Sequence, residues 1–263
     1  VAVAAFEGWG DAGSASSLAA GYLLEAGEAR RVAVIDPDDF FDFQVRRPLV
    51  ELTEDAGRRL VWPDTEVSVV ALPGAERDLV VVTGPEPHAR WKAYVGVVTE
   101  VLRSLGVGDV VTLGAFLGQV PHTLPVPLVG TSSDPVLLRR HHLFSSGYEG
   151  PTGIVGVLNL TLAAAGIRSV SVWAAVPHYL SSQEYPPAAL ALVEKAMGIA
   201  GLGIDTSDLE ATVAEYREEV AEALAESDLT AYVAELEEQA NAGTPVDPGD
   251  RLVDEIERFL RGG

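Results

Sequence analysis

Apolar positions in this chain fall into two kinds of run. Some are short, unbroken and rich in Val, bounded by Gly, Pro or acidic residues. Others are longer, with apolar residues returning every three or four positions. Residues 148–180 hold a complete unit of both kinds. Tyr148-Glu149-Gly150-Pro151-Thr152-Gly153 is a turn that opens a helix over 154–165, apolar and long enough to be buried. Gly166 stops that helix, because glycine takes the left-handed C-terminal cap without strain. Residues 169–176 form a continuous apolar run, the pattern of a strand covered on both faces, and Pro177-His178-Tyr179 ends it. Helix, glycine, buried strand and polar loop are the repeating grammar of a parallel sheet.

The same grammar predicts strands over 1–6, 31–35, 58–62, 67–72, 79–82 and 110–116, with a further short one at 126–131. Strands 58–62 and 67–72 lie close enough to form a hairpin or an edge pair. Helices are predicted over 14–26, 88–105, 135–140 and 187–199. Past residue 200 the pattern changes. Leu209, Val213, Tyr216, Val220 and Leu224, then Leu229, Val233 and Leu236, then Leu252, Val253, Ile256, Phe259 and Leu260 each line one stripe of an otherwise acidic helix. The expected organisation is an α/β domain over 1–200 and an acidic helical C-terminal region over 201–263. That region reads either as a solvated appendage or as a docking element for another subunit.

Composition narrows the function classes. With 48% of its 263 residues apolar, the chain can bury a sizeable core. The formal net charge is −21, and 13 of those excess negative charges lie within 205–261. A surface so acidic repels phosphate backbones and anionic lipid, so no nucleic acid or membrane partner is expected. Cysteine is absent, which excludes disulfides, thiolate metal sites and a cysteine nucleophile. With no basic, apolar leader and no long apolar span, the expected location is cytoplasmic.

Two patterns carry candidate chemistry. Gly8-x-Gly10-x-x-Gly13 follows a strand and opens a helix, and Asp36 ends the next strand. That is the context of a dinucleotide fingerprint, but also of a tight turn that lets helix and strand pack. Asp11 inside the turn would oppose a pyrophosphate. The second pattern is Pro87-His88, Pro121-His122 and Pro177-His178, each shortly after a predicted strand. Loops at the carboxyl ends of parallel strands share one rim of the sheet. Imidazoles there, with Trp9 and Asp11, would suit a divalent metal or acid–base work; equally, proline ends strands and histidine is common in loops. Thr152 opens a helix whose N–H groups could face an anion. There is no Gly-x-Ser-x-Gly, Walker loop or His-Glu-x-x-His. Phe40 and Phe41 are neighbours and in an extended chain cannot both face the core. With Phe43 and the basic spot at Arg47, they suggest a surface for self-association or a partner.

Several ordered blocks resemble the proteasome assembly chaperone type 2 (PAC2) family. They are Gly8-Trp9-x-Asp11-Ala12-Gly13, Asp36-Pro37-x-Asp39-Phe40, Asp42-Phe43-Gln44-Val45-x-Arg47-Pro48, Glu86-Pro87 with Arg90-Trp91, Thr112-Leu113-Gly114-Ala115, Val120-Pro121-His122-Thr123, Tyr148-Glu149-Gly150-Pro151-Thr152-Gly153 and Ser171-Val172-Trp173-Ala174-Ala175-Val176-Pro177-His178-Tyr179. The likeness covers most of 1–200, and the later helices are similar to the actinobacterial branch. The resemblance implies a three-layer α/β/α sandwich with a mostly parallel sheet, similar to nucleoside phosphorylase-like folds. It implies a non-enzymatic role, homo-oligomers and binding to proteasome subunits. In the family's block Gly10 falls at a free position, so no cofactor is expected. Chaperones of this type often end in a hydrophobic-Tyr-x tail, whereas this chain ends Phe259-Leu260-Arg261-Gly262-Gly263. The expectation is thus an assembly-chaperone-like binding protein. The competing one is a small-ligand, nucleotide or metal-binding enzyme working through Asp11, His122 and His178.

Overall fold

The first apolar run forms β1 (Ala2–Glu7), a central strand of the computed structural model, which describes residues 1–53, 57–225 and 229–242. Along the chain follow α1 (Ala15–Glu25), β2 (Glu28–Ile35), β3 (Leu49–Leu52), β4 (Arg58–Val61), β5 (Thr65–Ala71), β6 (Leu79–Pro85) and α2 (Trp91–Ser104). Then come β7 (Asp109–Gly118), β8 (Leu128–Thr131), α3 (Pro135–Arg140), β9 (Phe144–Ser145), α4 (Ile154–Ala164), β10 (Arg168–Pro177), α5 (Pro186–Ala200), α6 (Ser207–Ala225) and α7 (Leu229–Asn241).

Eight strands make one sheet in the order β2-β5-β6-β1-β7-β10-β8-β9. The middle four, β6, β1, β7 and β10, are parallel to their neighbours in that group. β5 runs antiparallel to both β2 and β6, and β8 runs antiparallel to β10 but parallel to the edge strand β9. Side chains of a strand alternate between faces, and here both faces are apolar. Val3 and Ala5 of β1, with Val170, Val172, Ala174 and Val176 of β10, pack under α1 and α5. Ala2, Ala4 and Phe6 pack under α2 and α4 on the opposite face. The result is a three-layer α/β/α fold with a large, mostly parallel central sheet. Gly166 follows α4 at φ +77°, the left-handed stop expected from the sequence.

The expected boundary at residue 200 falls between α5 and α6. Val220 of α6 joins the buried cluster beneath α1 and α5, and Tyr216 packs on Tyr185 with ring centroids 5.7 Å apart. The apolar stripe expected over 252–260 lies outside the described residues. Among these, no helix is long and apolar enough to cross a membrane.

Three local expectations differ. Strand β4 pairs not with β5 but with β3, as a two-stranded antiparallel sheet apart from the main one, while β5 joins the main sheet between β2 and β6. The helix expected from residue 88 starts at Trp91, because the N–H groups of His88 and Ala89 donate instead to the Phe40 carbonyl, at 2.8 and 3.1 Å. Phe40 and Phe41 are both buried, at 6% and 7% exposure. The chain there is not extended: a 3₁₀ turn over Pro37–Asp39 points both rings inward, with Phe40 edge-on to Tyr94 and Phe41 edge-on to His88. The premise that made them a partner surface therefore fails.

Candidate functional site

The carboxyl ends of β1, β6, β7 and β10 lie along one edge of the sheet, so the loops after them share a rim. Three groups of residues occupy it.

The first is the β1–α1 turn. Here the chain continues past the end of β1, and the Ala115 N–H of β7 donates to the Gly10 carbonyl at 2.7 Å. That places Asp11 beneath the start of α1. Its Oδ1 accepts from the Ser16 N–H at 2.7 Å, the Ser16 hydroxyl at 2.6 Å and the Ser17 N–H at 3.1 Å. Its Oδ2 accepts from the Ser17 hydroxyl at 2.6 Å. A helix N-terminus is an anion site, and here the chain's own carboxylate fills it. Gly13 turns at φ +59°, and a Cβ there would lie 2.8 Å from that of Tyr185. The glycine pattern is thus a packing turn, and a cofactor pyrophosphate has no place at this helix.

Helix α4 repeats the device. Gly153 carries no capping side chain, and Glu86, from the loop after β6, supplies one: the Ile154 N–H donates to Glu86 Oε1 at 2.7 Å. The N-termini of α1 and α4 are therefore both closed by internal carboxylates.

The second group is a cleft of about 980 Å³ between the β1–α1 turn, the face of α4 and the segments 131–133 and 181–184. Trp9, Phe116 and Trp173 are its aromatic walls. Trp173 lies so close over Gly114 that a Cβ there would be 2.5 Å from its ring. Of the residues nominated from sequence, Trp9, Asp11 and Thr152 line this cleft, while His88, His122 and His178 do not. Residues that sequence reasoning missed include Asn159, Glu184 and the serines at 132, 133, 181 and 182. Asn159 left a legible signal, as a lone amide inside an otherwise apolar helix.

The third group gathers His122 and His178 at the ends of the adjacent strands β7 and β10. The Tyr179 hydroxyl accepts from the His122 N–H and lies 2.9 Å from the His122 Nδ1. The His178 ring stands edge-on to Tyr179 and to Tyr232 of α7, with centroids 5.5 and 5.7 Å away. Thr123 hydrogen-bonds Glu237 of the same helix, so α7 lies over this part of the rim. Burial holds the His122 imidazole below the ordinary histidine range, outweighing the opposite pull of Glu237. His88 sits apart, with its Nδ1 accepting from the Asp42 N–H at 2.9 Å. Among the described residues no group of three His, Cys, Asp or Glu side chains is placed to hold a metal.

Outside the rim, the β3–β4 hairpin carries the most exposed apolar surface near the basic spot. Val50 faces Leu60 across it, and Leu52 lies two residues from Val50 on the same face. All three are exposed, Leu52 at 75%. Phe43 packs edge-on to Trp62 at the hairpin's base, with centroids 5.1 Å apart. Arg46 pairs with Glu7, and Arg90 pairs with Asp39 in the turn after β2. Arg47 is exposed.

The sequence profile of the PAC2 family matches residues 5–224. The chain is similar to a PAC2 family protein from Streptomyces avermitilis, at 43% identity over 88% of this chain and 98% of that one, with a TM-score of 0.83. It is also similar to a proteasome-assembly chaperone homologue from Mycobacterium tuberculosis, at 37% identity over 89% and 99% of the two chains, TM-score 0.82. An archaeal proteasome activator from Pyrococcus furiosus shares the fold, at 19% identity over 84% and 92%, TM-score 0.64. No curated protein matches the chain.

Proposed function

The chain belongs to the PAC2 family, and on that premise we propose that it is an assembly-chaperone-like protein, binding proteasome subunits and acting without making or breaking covalent bonds. The observation that carries this reading is the β3–β4 hairpin. A two-stranded sheet is marginal in water unless something covers it, and this one turns Val50, Leu52 and Leu60 outward together. Exposed apolar residues on one face mark an interaction site. Arg58 and Arg59 flank them and suit an acidic rim on the partner. The relative described as a proteasome-assembly chaperone homologue supports the choice of partner.

The rim supports binding over catalysis. Asp11 and Glu86 are committed to helix ends. His122 and His178 are engaged by tyrosines. The cytoplasm is the compartment where such a partner would be met, and the protein would work as a homo-oligomer.

The test is capture of actinobacterial proteasome α subunits by the immobilised protein. Wild type is expected to retain them, and the Leu52→Glu/Leu60→Glu variant to lose at least about 2 kcal/mol of binding, near a thirtyfold weakening, at an unchanged melting temperature. Equal retention by both would contradict the hairpin as the contact.

A further inference from the structure

We propose that the rim cleft binds a small organic cation, an ammonium or guanidinium group on an apolar stem. The inference stands apart from the partner reading and rests on the cleft's own chemistry. At about 980 Å³ the cleft is in the range of small-molecule sites. No Arg, Lys or His lines it. The N-termini of α1 and α4 are taken by Asp11 and Glu86, and α5, which starts beside the cleft, opens with Pro186 and Pro187, which have no N–H to offer, so an anionic ligand meets no cation and no free N–H of these helix ends.

What the lining does offer is acceptors. Asn159, 5% exposed, lines the cleft, and its Oδ1 has no hydrogen-bond partner among the described residues. A buried acceptor left unpaired costs free energy, which a ligand N–H that displaces the wall over it would recover. The Tyr148 hydroxyl spends its proton on the Pro151 carbonyl at 2.8 Å, which leaves its oxygen to accept. Glu149 and Glu184 also line the cleft and form no ion pair among the described residues. Trp9, half exposed, and Trp173 supply ring faces. Ring faces attract cations, most strongly where water is displaced. Free of cationic side chains, acidic and aromatic-walled, the site is complementary to a donor-only group carrying positive charge.

The experiment is calorimetric titration of the whole protein with benzyltrimethylammonium and arginine methyl ester as cation probes, and phenylacetate as the anion of similar shape. Both cations are expected to bind saturably at one site per chain and to change tryptophan fluorescence, while phenylacetate does not. Glu149→Gln/Glu184→Gln should weaken cation binding about tenfold, as two carboxylates near a partly solvated charge imply. Trp9→Ala should weaken it by a comparable factor. Both variants alter exposed side chains, so their melting curves should match wild type and their capture of proteasome subunits should persist. Absence of saturable cation binding, equal affinity for phenylacetate, or unchanged affinity in both variants would overturn the proposal, whatever the outcome of the capture experiment.

Discussion

Neighbouring residues that look alike in the sequence are sorted by local backbone geometry. Phe40 and Phe41 illustrate this: alternation applies to an extended chain, but the Pro37–Asp39 turn lets both rings enter the core beside Tyr94 and His88. Truncating Phe41 therefore probes packing and not partner binding. The histidines are sorted in the same way. His122 is partly buried against Tyr179, and burial keeps its imidazole below the usual range. The unfolded chain then takes up the proton first as pH falls, so stability is present above the ordinary histidine pKa of about 6.5 and is lost as pH drops below it. Glu237, the carboxylate on α7 that faces this group, opposes the effect without cancelling it. Denaturant unfolding of a His122→Asn variant should accordingly lose less stability than wild type between about pH 7 and about pH 5. An identical loss in the two proteins would place the titration elsewhere.

Among the elements, α1 and α4 show how this rim departs from that of a phosphate-binding α/β protein. Each begins where an anion would dock, and each is closed by a carboxylate, from Asp11 in its own turn or from Glu86, 68 residues before Ile154. Asp11→Ala should destabilise the fold by about 1–2 kcal/mol, the range for losing a helix cap, read from the urea midpoint; no change would mean that water replaces the cap at no cost. The Asp11 half of this arrangement was legible, since a carboxylate inside a glycine turn argues against a phosphate there. The Glu86 half was not, because only the folded sheet brings the end of β6 against α4. The hairpin was also hidden. A short run after Pro48 alternates too briefly to announce β3, and β4 had a nearer apparent partner in the following strand.

At the scale of the molecule, the buried runs and glycine stops made the α/β class readable, and the ordered blocks made the family readable. Both rest on patterns local in the chain. The cleft draws its walls from the β1–α1 turn, β7, β8, β10 and α4 together, and no single stretch announces such a site. The acidic helices behaved as their single stripes implied, with Val213 and Val220 of α6 and Val233 and Leu236 of α7 buried. The hairpin, separate from the main sheet and joined to Phe43 through Trp62, keeps an apolar face exposed. If that surface is what a partner reads, its backbone should become protected when the partner arrives. Amide exchange of the intact protein with saturating proteasome α subunits tests this directly. Slower exchange at residues 49–52 and 58–61, with the rim loops unchanged, is the predicted result; unaltered exchange across the hairpin while the subunits are bound would contradict it.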